Sequence, residues 1–387
     1  MAKIKVLMIG GKRCGKTTVL AKIRRNFNDV LHHGVNEGND LFTLVTPPDQ
    51  IAHLNAAEDC IINYFSGPDV NPYGKFIIND NPTTQLSSTR FSLRSLGKGL
   101  NNERVEVEFT DIPGEWCNDK TEVVTNLIQE SQAIIIAIDT PSLCEEEGFY
   151  AELCNRIRNI TEMMRTAIVD SGFLAEELSQ KLILFVPLKC EKEIISPNGE
   201  VDTAGMLRLN EKVKFFYRDL IGLLSQGICR DKITMAILPI STIKEIRWIQ
   251  YKGMVDGKEV SLYTEQGMRR VFDYGDNTKY LASYYQFRPN LLERALKYGP
   301  GSEFCEQPLV YILVYTMQYS LHQRNNNLTF EGKPFFKKIS AALKNTWKGI
   351  TNAFVNNDDL KEELTRLKVK KMKRSNGVEI LQNPLNI

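Results

Sequence analysis

One stretch near the amino end restricts this chain more than any other. Gly10-Gly11-Lys12-Arg13-Cys14-Gly15-Lys16-Thr17 fits the pattern GxxxxGK[ST]. The run before it, Ile4 to Ile9, is apolar and rich in β-branched residues, which predicts a buried strand. After it, Thr17 to Asn26 carries Val19, Leu20 and Ile23 at helical spacing. Strand, glycine loop and helix in that order are the setting in which the pattern works as a phosphate cradle. The glycines let the backbone curl so that its N–H groups point at phosphate oxygens. Gly10, Gly11, Lys12, Arg13, Cys14, Gly15, Lys16, Thr17 and Thr18 are therefore the expected contacts of a bound nucleotide. Lys16 should reach the β and γ phosphates, and the Thr17 hydroxyl should ligate Mg²⁺.

The rest of the chain supports one fold class. Arg90–Leu96 and Val105–Thr110 alternate as half-buried strands do, with Asn101-Asn102 between them as a hairpin turn. Ala133–Ile138, Leu182–Val186 and Ile233–Ile240 read as fully buried strands. Helical patterns lie between them, at Phe149–Val169 and Leu207–Leu224. Strands alternating with helices predict an α/β, three-layer P-loop NTPase fold. Its sheet should be mostly parallel, with one antiparallel strand. Residues 1–245 form this domain in our reading, with an insertion over about 31–82 whose segment Gln50–Phe65 could be helical. Residues 246–330 are expected as an extension packed on the core. It holds a hairpin over Arg247–Tyr263 turning at Asp256-Gly257, and an apolar helix over Pro308–Leu321. Residues 331–387 are expected as a basic amphipathic helical tail.

A phosphate loop alone does not separate GTPases from ATPases or kinases, but later segments do. Asp111-Ile112-Pro113-Gly114 ends an alternating strand and fits DxxG. Asp111 would hold Mg²⁺ through water, and the Gly114 N–H would sense the γ phosphate. Glu115 follows, where it either orients the attacking water or faces solvent. Leu188-Lys189-Cys190-Glu191 follows a buried strand, at the place of a base-reading N/T-K-x-D motif. Lys189 would lie over the base plane. The Glu191 carboxylate would accept from guanine N1–H and the 2-amino group, a donor pair that adenine lacks. Leucine in place of asparagine, and glutamate in place of aspartate, are departures from the motif. Ser241-Thr242 ends the next strand, where a short base-contacting loop belongs. Thr84, with Thr83 beside it, is the expected Mg²⁺ ligand of the first switch, Ser88 and Thr89 being alternatives. Arg13 either folds over the γ phosphate or faces solvent.

The four loops GGKRCGKT, DIPG, LKCE and STI together resemble the translation-factor-related class of P-loop GTPases with a Ras-like core, over roughly residues 3–30 and 83–245. Within that class, the long insertion before DIPGEW, the strand IIIAIDTP and the extension with FRPN and CEQPLVY look like bacterial double-GTPase proteins of multi-gene conflict systems directed at phage. The guanylate-binding GTPases carry an arginine where Arg13 stands and use it as an internal finger. The resemblance implies a Ras-like fold, GTP and GDP as ligands, Mg²⁺, GTP turnover and regulation of an effector protein. Catalysis would then rest on Lys16, Arg13, Gly114 and Glu115. A nucleotide-binding scaffold with little hydrolysis, or an ATPase, is the competing reading.

Bulk properties exclude little else. Net charge is +2 over 387 residues, so charge arguments are local. Eight cysteines without a CxxC pair, and only four histidines, argue against structural zinc and a disulfide framework. The amino-terminal apolar run is too short for a signal peptide, which suggests a cytoplasmic protein. Between Lys333 and Ser375, Phe336, Ile339, Leu343, Trp347, Ile350 and Phe354 form an apolar helical face flanked by lysines. Such a segment packs on its own domain, or binds a partner, a second copy or an anionic membrane. No aromatic stacking pattern supports nucleic acid binding.

Overall fold

The computed structural model describes residues 2–32, 42–66, 75–77, 85–95, 103–144, 149–173, 180–255, 258–264, 281–325, 377–385 and 387. Twelve strands are found among them: β1 (Ala2–Gly10), β2 (Phe42–Val45), β3 (Lys75–Ile77), β4 (Ser87–Ser95), β5 (Glu103–Asp111), β6 (Ala133–Asp139), β7 (Lys181–Leu188), β8 (Ile233–Ile237), β9 (Ile246–Val255), β10 (Lys258–Thr264), β11 (Leu281–Phe287) and β12 (Glu379–Gln382). Eight form one sheet in the order β12-β8-β7-β6-β1-β5-β4-β2. Its centre, from β8 to β5, is parallel. The chain is thus an α/β protein with the strand–loop–helix unit of a P-loop NTPase at the middle of a mostly parallel sheet.

Alternation along the central strands builds the layers. Ile4, Val6 and Met8 of β1 enter one core, together with the helices Lys16–His32 and Gln307–Asn325. Leu7 and Ile9 enter the other, with Thr121–Glu130 and Ile157–Met164. A period of two on a sheet covered on both faces yields continuous apolar runs, as in β6, where every residue is buried. The apolar helix expected at Pro308–Leu321 exists, and its buried Tyr311, Tyr315 and Tyr319 lie against the first of these cores.

Four features differ from the sequence reading. The sheet has three antiparallel pairings, β4 on β5, β2 on β4 and β12 on β8, not a single antiparallel strand. The insertion contains the expected helix, at Pro48–Ser66, and also supplies β2 to the main sheet and β3 to a second sheet. The pattern over Phe149–Val169 is broken. Arg156 turns left-handed at φ 54°, splitting two helices, and Arg165–Asp170 winds as a π-helix. Apolar periodicity continued across the break, so it carried no signal.

The fourth difference is at the carboxyl end. Residues 331–376, with the apolar face at Phe336–Phe354, lie outside the described residues. Gly377–Gln382 do not continue a helical tail: they return to the core sheet, where β12 pairs with β8. Gly377 turns with φ 91° and its carbonyl accepts from Asn210 Nδ2 at 2.8 Å. The Gln382 amide donates to Leu224 O, Cys229 O and Ile233 O, at 3.3, 3.0 and 2.6 Å. Val378 is fully buried. Val378→Ala should lower unfolding free energy in a urea melt by about 2 kcal/mol through lost burial and the cavity left behind.

The second sheet runs β10-β9-β11-β3 and is antiparallel throughout. The hairpin expected over Arg247–Tyr263 is its β9–β10 pair, with Asp256-Gly257 outside the described residues. Trp248, Tyr251, Tyr285 and Phe287 pack with Phe65, Tyr150 and Ile243 into a third core. This core packs the extension against Phe65, Tyr150 and Ile243 of the first 245 residues. No helix among the described residues is long and apolar enough to cross a membrane.

Candidate nucleotide site

The helix Lys16–His32 begins at the end of the glycine loop, so its amino-terminal N–H groups and dipole face the loop. Gly15 sits at φ 104°, a left-handed value that favours glycine. Lys16 is 5% exposed, and its ammonium donates to Gly10 O at 3.4 Å and Gly11 O at 3.3 Å. Asp111 Oδ1 lies 3.7 Å away. Burial works against the ammonium charge, yet Cys14 and Asp111 outweigh it and raise the Lys16 pKa overall. Burial also pushes the Cys14 thiol up.

Thr17 Oγ1 donates to Asp111 Oδ2 at 3.1 Å. A hydroxyl and a carboxylate, both hard oxygen donors beside a phosphate loop, suit Mg²⁺. Among the described residues no cluster of three or more His, Cys, Asp and Glu side chains could hold a metal alone. A bound Mg²⁺ would then depend on Thr17, Asp111 and phosphate oxygens together. Thr84, the expected third ligand, lies outside the described residues.

The DxxG loop closes directly on the phosphate loop. A Cβ placed on Gly114 would stand 2.3 Å from the Lys12 nitrogen, so only glycine permits this approach. Glu115 forms an ion pair with Lys12. Burial raises the Glu115 pKa, but the Lys12 bond and charge lower it further, so the carboxylate is ionised at neutral pH. Arg13 turns left-handed, at φ 59°, at the head of the loop.

Beside the phosphate loop is a pocket with an empty volume of about 420 Å³, mouth included. Cys14, Gly15 and Thr18 form one side, Leu188, Lys189 and Glu191 a second, and Thr242 and Ile243 a third. The glycine loop and the two segments expected to read a base thus meet at one place. Glu191 is 2% exposed. Its Oε1 accepts from Ser241 Oγ at 3.4 Å, whereas Oε2 is buried with no hydrogen-bond partner among the described residues. Burial pushes this carboxyl up to about 7. Ser241 is fully buried and supports Glu191, while Thr242 lines the pocket.

Sequence reasoning missed the groups behind this pocket. Lys189 is left-handed at φ 55°, and its ammonium lies 2.7 Å from Asp139 Oδ1 and donates to Ser283 Oγ at 3.1 Å. The Tyr251 hydroxyl also donates to Asp139. Asn155 accepts from Asp139 N at 2.7 Å and donates to Ser142 Oγ at 2.8 Å. Ile246 and Tyr285 of the second sheet complete the pocket wall. A charged residue ending the apolar run IIIAID was the available signal for Asp139. Nothing local marked Tyr251, Ser283 or Tyr285, which arrive from more than a hundred residues away.

Comparison with known proteins places few constraints on this site. No protein-family model matches the chain, and no curated protein matches it. Among solved structures, it is similar to the S. cerevisiae Ski7 GTPase-like domain bound to GTP, at 11% identity and a TM-score of 0.30, over 62% of this chain and 43% of that one. The same domain bound to GDP and inorganic phosphate aligns at 10% identity and 0.31, over 74% and 71%. The LeoA bacterial dynamin GTPase from ETEC aligns at 15% identity and 0.26, over 84% and 42%. The chain therefore spans less than half of the first and third of these structures. At these scores the likeness carries no argument, and the functional reading rests on the residues.

Proposed function

We propose that this chain is a GTP-binding and GTP-hydrolysing switch that uses Mg²⁺ and regulates a partner protein. One observation supports this reading above others. The buried Glu191 carboxylate, with an unpartnered Oε2, lines a pocket that opens beside the phosphate loop. A buried acceptor left unsatisfied costs about 1–3 kcal/mol, so a ligand offering a donor there gains that much. Guanine offers two adjacent donors on one edge. Lys16 and the loop amides would hold the phosphates, Thr17 and Asp111 the metal, and Gly114 would respond to the γ phosphate. Bound Mg²⁺ would neutralise charge on the phosphate oxygens. The translation-factor-related class, its double-GTPase branch and a role in defence against phage belong to the same proposal. They rest on the four loops in order and on the FRPN and CEQPLVY segments.

The scaffold reading also has an observation in its favour. Glu115, at the place of the water-positioning group, is held by Lys12 as an ionised, acceptor-only carboxylate. Thermal melts with Mg²⁺ and GTP, GDP or ATP, combined with a phosphate-release assay, separate these readings. A GTP-specific rise with phosphate release is expected. Binding without release would establish the scaffold, and preference for ATP would reject base reading by Glu191. Arg13→Ala is expected to lower turnover at least about tenfold while sparing GTP affinity, as loss of an internal finger would. Unchanged turnover would dismiss that role.

A further inference from the structure

The two base-reading loops are joined by a residue that belongs to neither of them. Arg288 lies in the extension, at the start of the helix Pro289–Tyr298. Its guanidinium donates from Nη1 to Ile195 O at 2.8 Å and Ser196 O at 3.0 Å, and from Nη2 to Glu191 O at 2.6 Å. All three acceptors lie on the short segment that follows β7 and begins with Glu191. The Arg288 backbone N–H donates to Glu245 O at 2.7 Å, on the segment that follows β8. One residue therefore ties both loops at once.

Other residues of the extension reinforce the second loop. Ser241 exchanges backbone hydrogen bonds with Glu303, at 3.0 and 2.8 Å, and the Cys305 thiol donates to Ser241 O at 3.1 Å. Glu245 accepts from the Gly301 N–H through both carboxylate oxygens. The pocket faces these contacts through Ile246 and Tyr285. Two guanidinium nitrogens that reach three carbonyls form a fork that a lysine ammonium does not reproduce. The Arg288 charge also lies close enough to Glu191 to favour its ionised form.

We infer that Arg288 is a positioning residue for base recognition, fixing the Glu191 loop against the Ser241–Glu245 loop so that the extension sets the chain's choice of base. This rests on the proposed reading of Glu191 as the base acceptor. It predicts an effect on base discrimination that leaves the phosphate grip intact, because the hydrogen bonds that Arg288 donates among the described residues go to Glu191, Ile195, Ser196 and Glu245 and none to residues 10–18.

The test uses the full chain, unsubstituted and as Arg288→Ala and Arg288→Lys. Affinities for GTP, ATP and inorganic triphosphate are measured with Mg²⁺, alongside the ligand-free melting temperature. Arg288→Ala should weaken GTP at least about tenfold, equivalent to about 1.4 kcal/mol, while triphosphate and ATP change less than about twofold. Arg288→Lys should recover part of the GTP affinity and keep the ligand-free melt, which makes the result readable if Arg288→Ala does not fold. An unchanged GTP-to-ATP ratio in the folded variants would overturn the inference. Parallel weakening of GTP and triphosphate would overturn it as well, since that is the signature of general structural damage. Failure of the parent reading is distinguished because it would appear in the unsubstituted chain, as equal affinity for GTP and ATP.

Discussion

Lys16→Ala is expected to eliminate the rise in melting temperature that the proposed binding of GTP and Mg²⁺ would produce. A ligand that binds only the folded state stabilises it by RT ln(1 + [L]/Kd), about 2.7 kcal/mol at a hundred times Kd. The Lys16 ammonium is buried among Gly10 O, Gly11 O and Asp111, at the closed end of the phosphate loop. A charge-assisted bond from such a group to a phosphate oxygen is roughly twice as strong as a neutral one, and Lys16 would make several. Losing about 3 kcal/mol or more raises Kd over a hundredfold, which removes the rise at that ligand concentration. Removing the ammonium also takes a cation from beside fully buried Asp111, so the ligand-free melting temperature falls too. The comparison is therefore made with and without ligand in the same variant. A rise as large as in the unsubstituted chain would remove the phosphate loop from the account.

Glu191→Ala weakens GTP about 30- to 100-fold and leaves inorganic triphosphate unchanged, because only the base loses the acceptor, worth about 2–3 kcal/mol when charged. Equal weakening of both ligands would reject Glu191 as the base reader. The same carboxyl gives the reading a pH signature. Burial pushes it up to about 7 from an ordinary 4.5. Its folded pKa is thus above its unfolded one, so the fold favours the protonated form. The stability this contributes is complete below about 4.5 and is lost as pH rises through about 7. Guanine donors require the ionised form, so ligand affinity runs the other way. It climbs as pH passes upward through about 7, and below that falls by up to about tenfold per pH unit. Triphosphate shares every other titration of the site but not this one. The GTP-to-triphosphate affinity ratio should therefore rise with pH in the unsubstituted chain and be flat in Glu191→Ala. A ratio flat in both would show that the carboxyl does not meet the base.

These expectations draw on parts of the molecule that were unequally legible in the sequence. The phosphate loop was legible because its information is local: a buried strand, two glycine positions and a helix start lie within about a dozen consecutive residues. Asp111 and Glu191 were legible because each follows a strand whose period is plain. β12 was not, since Glu379–Gln382 is a four-residue edge strand, too short to show a period, whose partner, β8, lies about 140 residues earlier. The break at Arg156 was not, because neither glycine nor proline marks it. Arg288 was quoted in the FRPN segment, yet its role depends on three carbonyls placed by tertiary packing. Asp139, Lys189 and Tyr251 form a buried cluster for the same long-range reason. In general the loops that line the candidate site were readable, and the residues that hold those loops in place were not.

The pairing of β12 with β8 also bears on how such a chain matures. Protein is made from the amino end, and the main sheet has every other strand translated well before residue 379 leaves the ribosome. Until then no other strand among the described residues pairs with that side of β8, and the pocket for Val378 is unfilled. Before residue 379 is made, β8 therefore presents an open strand edge of the kind that is prone to aggregation.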